Sequence, residues 1–198
     1  MKKIIVLVGC SASGKDFILK HAVKYIDGLK GVVSHTSRPM RQGEVEGREY
    51  YFVDVQTITD MHNNGEFIES RNYYVGDGVT WSYGIHKGSI DTESNNDYIT
   101  IVDLQGLKKI EKYFEKLGMK DCIHSIFIDT DSQIRLQRSL SREGRMTESQ
   151  VAEVIRRYED DKIFIEPARE YCDISLKNNS IENGLQILNY IRKLVEGK

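Results

Sequence analysis

Ile4-Ile5-Val6-Leu7-Val8-Gly9-Cys10-Ser11-Ala12-Ser13-Gly14-Lys15-Asp16 is the stretch whose reading decides the fold. Its five leading apolar residues predict a buried strand. Phe17, Ile18, Ala22, Val23 and Ile26 follow at helical spacing and predict one apolar helix face. Between strand and helix lies a loop bounded by Gly9 and Gly14 and ending in Lys15. That layout is a phosphate cradle: the loop aims backbone N–H groups inward, and the helix adds the positive end of its dipole. Gly9, Cys10, Ser11, Ala12, Ser13, Gly14, Lys15 and Asp16 are therefore the expected nucleotide-binding residues, with Lys15 reaching the outer phosphates. The G-x-x-x-x-G-K pattern is normally completed by Ser or Thr, whose hydroxyl sits on magnesium. Here Asp16 holds that position.

The bulk properties bound the answer. The 198 residues suit one domain with small inserted parts. A net charge of −2 argues against a general nucleic-acid binder. Cys10, Cys122 and Cys172 are odd in number and far apart, which fits a reducing compartment and the cytoplasm. No apolar run approaches the roughly 20 residues of a membrane span. Leu7-Val8-Gly9-Cys10 has the look of a lipid-attachment box, but only about five apolar residues precede the cysteine, against roughly 7–15 in a signal-peptide core.

Further apolar runs repeat the opening one: Tyr98–Val102, Ile123–Ile128 and Cys172–Leu176. The first two are followed by Asp103 and Asp129. Leu107, Ile110, Tyr113, Phe114 and Leu117 predict a helix after the former. Asp131 is the expected cap of the next, with Ile134, Leu136 and Leu140. Ser180 is the expected cap of the last, with Leu185, Leu188, Ile191 and Leu194 inward. Repeated strand–helix alternation predicts an α/β fold with a parallel, helix-covered sheet. Residues 34–94 break the rhythm with short β-like pieces and one helix near 55–64, capped by Asp54. Residues 138–162 are crowded with Arg and acidic side chains. The expected organisation is a core (1–33, 95–137, 163–198), an inserted α+β acceptor-binding subdomain (34–94) and a helical lid (138–162).

Ser34-His35-Thr36-Ser37-Arg38-Pro39-Met40-Arg41-Gln42-Gly43-Glu44 leading into Tyr50-Tyr51-Phe52-Val53 is the second signal. Two guanidiniums around a proline, with phenols behind, suit a phosphate monoester: arginine forks pair with its oxygens and a phenol adds a donor. The bland alternative is a solvated basic turn. The stretch resembles the acceptor-binding signature of the guanylate kinases, Ser-His-Thr-Thr-Arg-x-Pro-Arg-x-Gly-Glu followed by Tyr-x-Phe-Val. The likeness continues at Gly65-Glu66-Phe67-Ile68-Glu69, at Tyr83-Gly84 and at Val102-Asp103-Leu104-Gln105-Gly106, and with the phosphate loop covers nearly the whole chain.

That resemblance implies roles by position. Ser34 contacts the guanine base. Arg38, Arg41, Tyr50 and Tyr83 hold the acceptor phosphate, with Tyr74 an alternative to Tyr83. Glu69 reads the base edge, since guanine offers N–H donors that a carboxylate accepts. The lid carries Arg135, Arg138, Arg142, Arg145, Arg156 and Arg157. Arg138, Arg142, Arg156 and Arg157 match the family's catalytic arginines, which place positive charge on the phosphoryl group in transit. Asp16 is the expected magnesium ligand, with Asp103 as a further metal partner or a plain helix cap. The chain departs from the family at Ile85 (usually Ser or Thr), at Ile101 (usually Asp), in the longer segment between Glu69 and Tyr83, and at Asp16.

The function implied is ATP-dependent phosphoryl transfer to a nucleoside monophosphate, GMP or dGMP favoured, in purine nucleotide metabolism. The partners implied are ATP with Mg2+ and the acceptor nucleotide, without nucleic acid or membrane, in a monomer or homodimer. Two rivals stand beside it. One is a related kinase for another nucleotide or a sugar phosphate. The other is a non-catalytic interaction module, against which the retained Gly14-Lys15 speaks.

Overall fold

The structure is a computed structural model, and it describes residues 2–41, 43–75, 78–141 and 147–197. In chain order the strands and α-helices are β1 (Ile4–Val8), α1 (Lys15–Tyr25), β2 (Leu29–Gly31), β3 (Ser34–Thr36), β4 (Tyr50–Phe52), α2 (Val55–Asn63), β5 (Phe67–Tyr74), β6 (Thr80–His86), β7 (Asp97–Ile101), α3 (Leu104–Lys116), β8 (Ile123–Asp129), α4 (Ser132–Ser141), α5 (Glu148–Tyr171), β9 (Ile174–Lys177) and α6 (Ile181–Glu196).

Five strands form a parallel sheet in the order β2-β7-β1-β8-β9, with β1 at its centre. Every residue of β1 is buried because helices cover both faces. Alternate side chains feed two separate cores. Ile4, Val6 and Val8 pack with Leu104, Leu107, Ile110 and Phe114 of α3 and with Ala168 of α5. Ile5 and Leu7 pack with Ile18 and Ala22 of α1 and with Ile187 and Ile191 of α6. The expected α/β architecture is thus observed.

The second sheet, β4-β3-β6-β5, is mixed. β3 runs parallel to β4, with Ser34 opposite Tyr50, and antiparallel to β6. β5 and β6 form an antiparallel pair with Glu69 opposite Ile85 and Arg71 opposite Tyr83. Directly opposed residues share a sheet face, as do residues two apart along a strand. Glu69, Arg71, Tyr73, Tyr83 and Ile85 therefore lie on one face of this sheet, and the N-terminal part of α3 packs against β5.

Several caps form as expected. Asp54 accepts from the Thr57 amide, Asp103 from Gly106 and Ser180 from Asn183. A capping box of Thr147 and Gln150 starts α5, which then runs unbroken for 24 residues, past residue 162 where the lid was expected to end. Some helix faces are narrower than periodicity implied. Phe17 and Leu185 are each 56% exposed, and Val23, Leu117, Leu136 and Leu140 are also exposed. In α4 the buried residue is Arg135. The three cysteines are buried and free.

Candidate active site

The loop after β1 is shaped by three special backbone positions. Gly9 approaches β8 so closely that a Cβ there would lie 2.8 Å from the Ile128 carbonyl oxygen. Ala12 has φ 58, a left-handed conformation costing an L-residue roughly 1–2 kcal/mol. Such strain is characteristic of ligand-clamping loops. Gly14 has φ 92, and a Cβ there would lie 2.5 Å from Asn178 Nδ2. Gly14 also caps α1 with no side-chain hydrogen bond, so the helix's first N–H groups are left for an anion.

The loop is held from behind. The Ser13 carbonyl accepts from Asn178 Nδ2 at 2.7 Å, from Thr130 Oγ1 at 3.0 Å and from Arg138 Nη1 at 3.4 Å. Arg138 also donates to the Asn178 carbonyl at 2.9 Å. This lid arginine therefore sits directly on the phosphate loop. Lys15 Nζ donates to the carbonyls of Gly9 and Cys10 at 2.6 and 2.7 Å. Cys10 lines the same region as a neutral thiol: burial, with Asp161 adding to it, pushes it up to about 11.

Asp161, one turn beyond Arg157 on α5, was not among the expected site residues. Its Oδ2 accepts from the Ser11 amide at 3.0 Å and from Arg135 Nη1 at 2.7 Å. The Arg135 side chain is 3% exposed and lies over the Tyr158 ring. Burial raises the Asp161 carboxyl above its ordinary range, against the opposing pull of Arg135.

The acceptor residues gather on the second sheet. Arg38 forms a bidentate pair with Glu44, at 2.8 and 3.1 Å, and lies over the rings of Tyr50 and Phe52. Tyr83 stacks edge-on with both Tyr50 and Tyr73, at centroid distances of 5.7 and 5.6 Å, and its hydroxyl is beside Arg38. Tyr74 is 63% exposed and stands outside this cluster. Ser34 is buried opposite Tyr50 in the β3–β4 register, and Arg41 is exposed, its amide donating to Glu44. Tyr50 is pushed up to about 12 by burial and then by the charge of Asp16. Lys20 of α1 pairs at 3.1 Å with Glu49, the residue before Tyr50, and so ties the helix that starts at the phosphate loop to the segment that carries the acceptor cluster.

Glu69 is 2% exposed. Among the described residues neither of its carboxylate oxygens receives an aligned hydrogen bond. Arg71 Nε lies 3.1 Å from Oε2, close enough to pair in charge but without hydrogen-bond alignment. Asp103 accepts from the Gly106 amide at 2.7 Å on one oxygen and from the Tyr73 hydroxyl at 2.6 Å on the other, with an Arg71 nitrogen at 3.9 Å. It is the cap of α3 and part of the pocket wall, and its carboxylate is occupied there. Ile85 is a core residue in the layer with α3, and Ile101 is partly buried against the opposite, α1 layer.

Two other expected residues are tied elsewhere. Arg156 pairs with Glu153 and Asp160, and Arg157 pairs with Glu153 at 2.6 Å. Arg142, with its neighbour Arg145, lies outside the described residues. Arg71 was missed by sequence reading, although its place two residues after Glu69 in a strand puts both side chains on one face.

With this geometry in view, comparison with known proteins gives a uniform result. A family model described as guanylate kinase matches residues 1–194. The guanylate kinase of Trichodesmium erythraeum is 33% identical over 191 residues, covering 96% of this chain and 95% of that one. The guanylate kinase of Chromohalobacter salexigens is 30% identical over 181 residues, covering 90% and 77%. A crystal structure of guanylate kinase from Anaplasma phagocytophilum has the same fold, with a TM-score of 0.66 at 23% identity over 99% of this chain and 85% of that one.

Proposed function

The chain belongs to the guanylate kinase family, and on that premise we propose that it transfers the terminal phosphoryl group of ATP to GMP or dGMP. The observation that supports this reading is the Lys20–Glu49 pair at 3.1 Å, which joins the helix after the phosphate loop to the segment leading into Tyr50.

The acceptor phosphate is already an anion, so no general base is required. The protein's task is positioning and neutralisation. The amides of the loop and of the first turn of α1 bind the donor phosphates. Lys15 leaves the carbonyls of Gly9 and Cys10 to meet the outer phosphate, and Arg138 stands beside it. Arg38, Arg41, Tyr50 and Tyr83 orient the acceptor phosphate, and Ser34 contacts the base. Glu69 accepts hydrogen bonds from guanine N–H groups. Arg156 and Arg157 reach the transferred group only by exchanging Glu153 for it, a movement that lid closure would supply.

Magnesium fits the residues present. It prefers oxygen, keeps several waters and is commonly held by one or two carboxylates plus substrate phosphates. Asp16, exposed on the first turn of α1, would hold it. Bound there, the ion would neutralise charge on the donor's outer oxygens.

The test is to supply ATP and magnesium, offer a panel of nucleoside monophosphates and sugar phosphates, and follow ADP release. Turnover confined to guanine nucleotides is expected. Turnover only with another acceptor, or none with any, overturns the reading.

A further inference from the structure

The floor of the acceptor pocket holds an arginine with no assigned task. Arg71 and Glu69 are two apart on β5, so their side chains leave the same face of the sheet. Their charged groups lie side by side, with 3.1 Å between Nε and Oε2. The pair is not a finished salt bridge. Both Glu69 oxygens and Arg71 Nε are inaccessible to solvent and lack an aligned hydrogen-bond partner among the described residues. A buried carboxylate or guanidinium nitrogen without a hydrogen-bond partner is costly, so such a pair is suited to receive a third group.

The surroundings limit what that member is. Directly across from Glu69 stands Ile85, fully buried and without a hydroxyl to offer. Across from Arg71 stands Tyr83, part of the phosphate cluster. Asp103 lies 3.9 Å from a second Arg71 nitrogen and gives the guanidinium a pivot. Besides the buried Ser34 hydroxyl opposite Tyr50, the groups left to read a base here are a carboxylate, which only accepts, beside a guanidinium, which only donates.

We propose that Arg71 is a specificity-determining residue of the acceptor pocket, which donates to a ring carbonyl while Glu69 accepts from the N–H groups on the same base edge. Guanine presents that edge: two N–H donors, at N1 and N2, followed by the O6 acceptor. A lone carboxylate satisfies the donors and leaves O6 unpaired. Arg71 completes the edge from the neighbouring strand position, where Ile85 cannot. In the structure the guanidinium lies against Glu69; to reach O6 it would turn about Asp103. The inference rests on the reading of the chain as a GMP kinase and adds the group that reads O6.

The experiment compares kcat/KM at pH 7 for GMP, for 6-thio-GMP (a poor acceptor in place of O6), for IMP (no N2 amine) and for CMP. The parent chain is expected to prefer GMP over 6-thio-GMP by about tenfold or more, the worth of a charge-assisted hydrogen bond. In Arg71→Ala that preference falls to about twofold, while the preference for GMP over IMP persists. In Glu69→Gln the reverse holds: the IMP ratio collapses and the 6-thio-GMP ratio persists. Equal use of GMP and 6-thio-GMP by the parent chain overturns the inference without recourse to any variant. An unchanged ratio in Arg71→Ala also overturns it and leaves Arg71 a structural partner of Glu69. Preference for CMP over GMP overturns it too, because the pair then reads a cytosine edge. Absence of GMP turnover in the parent removes the underlying reading, an outcome distinct from GMP turnover with an unchanged ratio.

Discussion

Asp161 Oδ2 accepts a hydrogen bond from the Ser11 amide across 150 residues of sequence, at 3.0 Å. An amide of the phosphate loop is thereby engaged by a carboxylate of α5, the helix that also carries Arg156 and Arg157. Arg135 holds that carboxylate in place.

A donor phosphate must compete with Asp161 for the Ser11 amide and bear its negative charge. Asp161→Asn keeps the shape and removes the charge. Its expected effect is tighter ATP binding, by about tenfold, the scale of one charge-assisted interaction. Calorimetric titration of the magnesium-free and magnesium-loaded nucleotide checks it; weaker binding in both would show that Asp161 supports the loop rather than closing it.

Lys15→Ala removes the one ammonium able to leave the loop carbonyls for the outer phosphate. A fall in kcat of roughly 100-fold or more is expected, with the melting temperature nearly unchanged. Loss of folding in place of loss of rate would mean that the bonds to Gly9 and Cys10 are the residue's main role.

The lid arginines separate by position. Arg138 already touches Ser13 and Asn178, so Arg138→Ala is expected to lower kcat by roughly 100-fold. Arg156 is a partly exposed member of helix-surface pairs, and Arg156→Ala is expected to cost less than about 1 kcal/mol of stability. Single-turnover rates for the two variants decide whether Arg156 takes part in chemistry as well.

Gly106 tests the proposed base pocket without altering any of its charged residues. A Cβ there would meet the Val102 Cβ at 2.8 Å and Glu69 Oε2 at 3.3 Å. Gly106→Ala is expected to destabilise the fold by about 1–3 kcal/mol and to raise the KM for GMP while leaving that for ATP unchanged. An equal rise in both would place Glu69 outside the acceptor pocket.

Acid stability has an identifiable contributor in Glu49. Burial alone would raise its pKa, but Arg48, the Val45 amide and Lys20 together pull it from 4.5 down to about 2. The folded pKa is the lower one, so its contribution is complete above pH 4.5 and is lost as pH falls from there toward 2. The urea midpoint should fall over that window, and more gently in Glu49→Gln. Identical slopes in the two proteins would assign acid sensitivity to other carboxylates.

Much of this site is local and was therefore legible in the residue order. The phosphate loop is eight consecutive residues, Gly9 to Asp16, whose glycines, lysine and flanking periodicities each have a separate reason. The Arg38–Glu44 turn is likewise one short segment. Helix width was not legible. Periodicity marks the centre of an apolar stripe, but neighbouring layers decide how much of it is covered, which is why Ile18 is buried and Phe17 is not. The double role open to Asp103 also needed the fold, since only the packing of β5 on α3 brings the Tyr73 hydroxyl to its carboxylate.

By itself, the sequence determined a parallel helix-covered sheet with a phosphate cradle after its first strand, interrupted by an arginine- and tyrosine-rich insertion that resembles the family's acceptor site. Those properties depend on spacing along the chain. Only the tertiary structure decided that Arg71 stands against Glu69, that Arg138 rests on the loop and that Asp161 occupies its Ser11 amide. Each depends on charges from distant or separately packed elements meeting where water is excluded, and in that setting an unpaired charge is costly enough to dictate its neighbours.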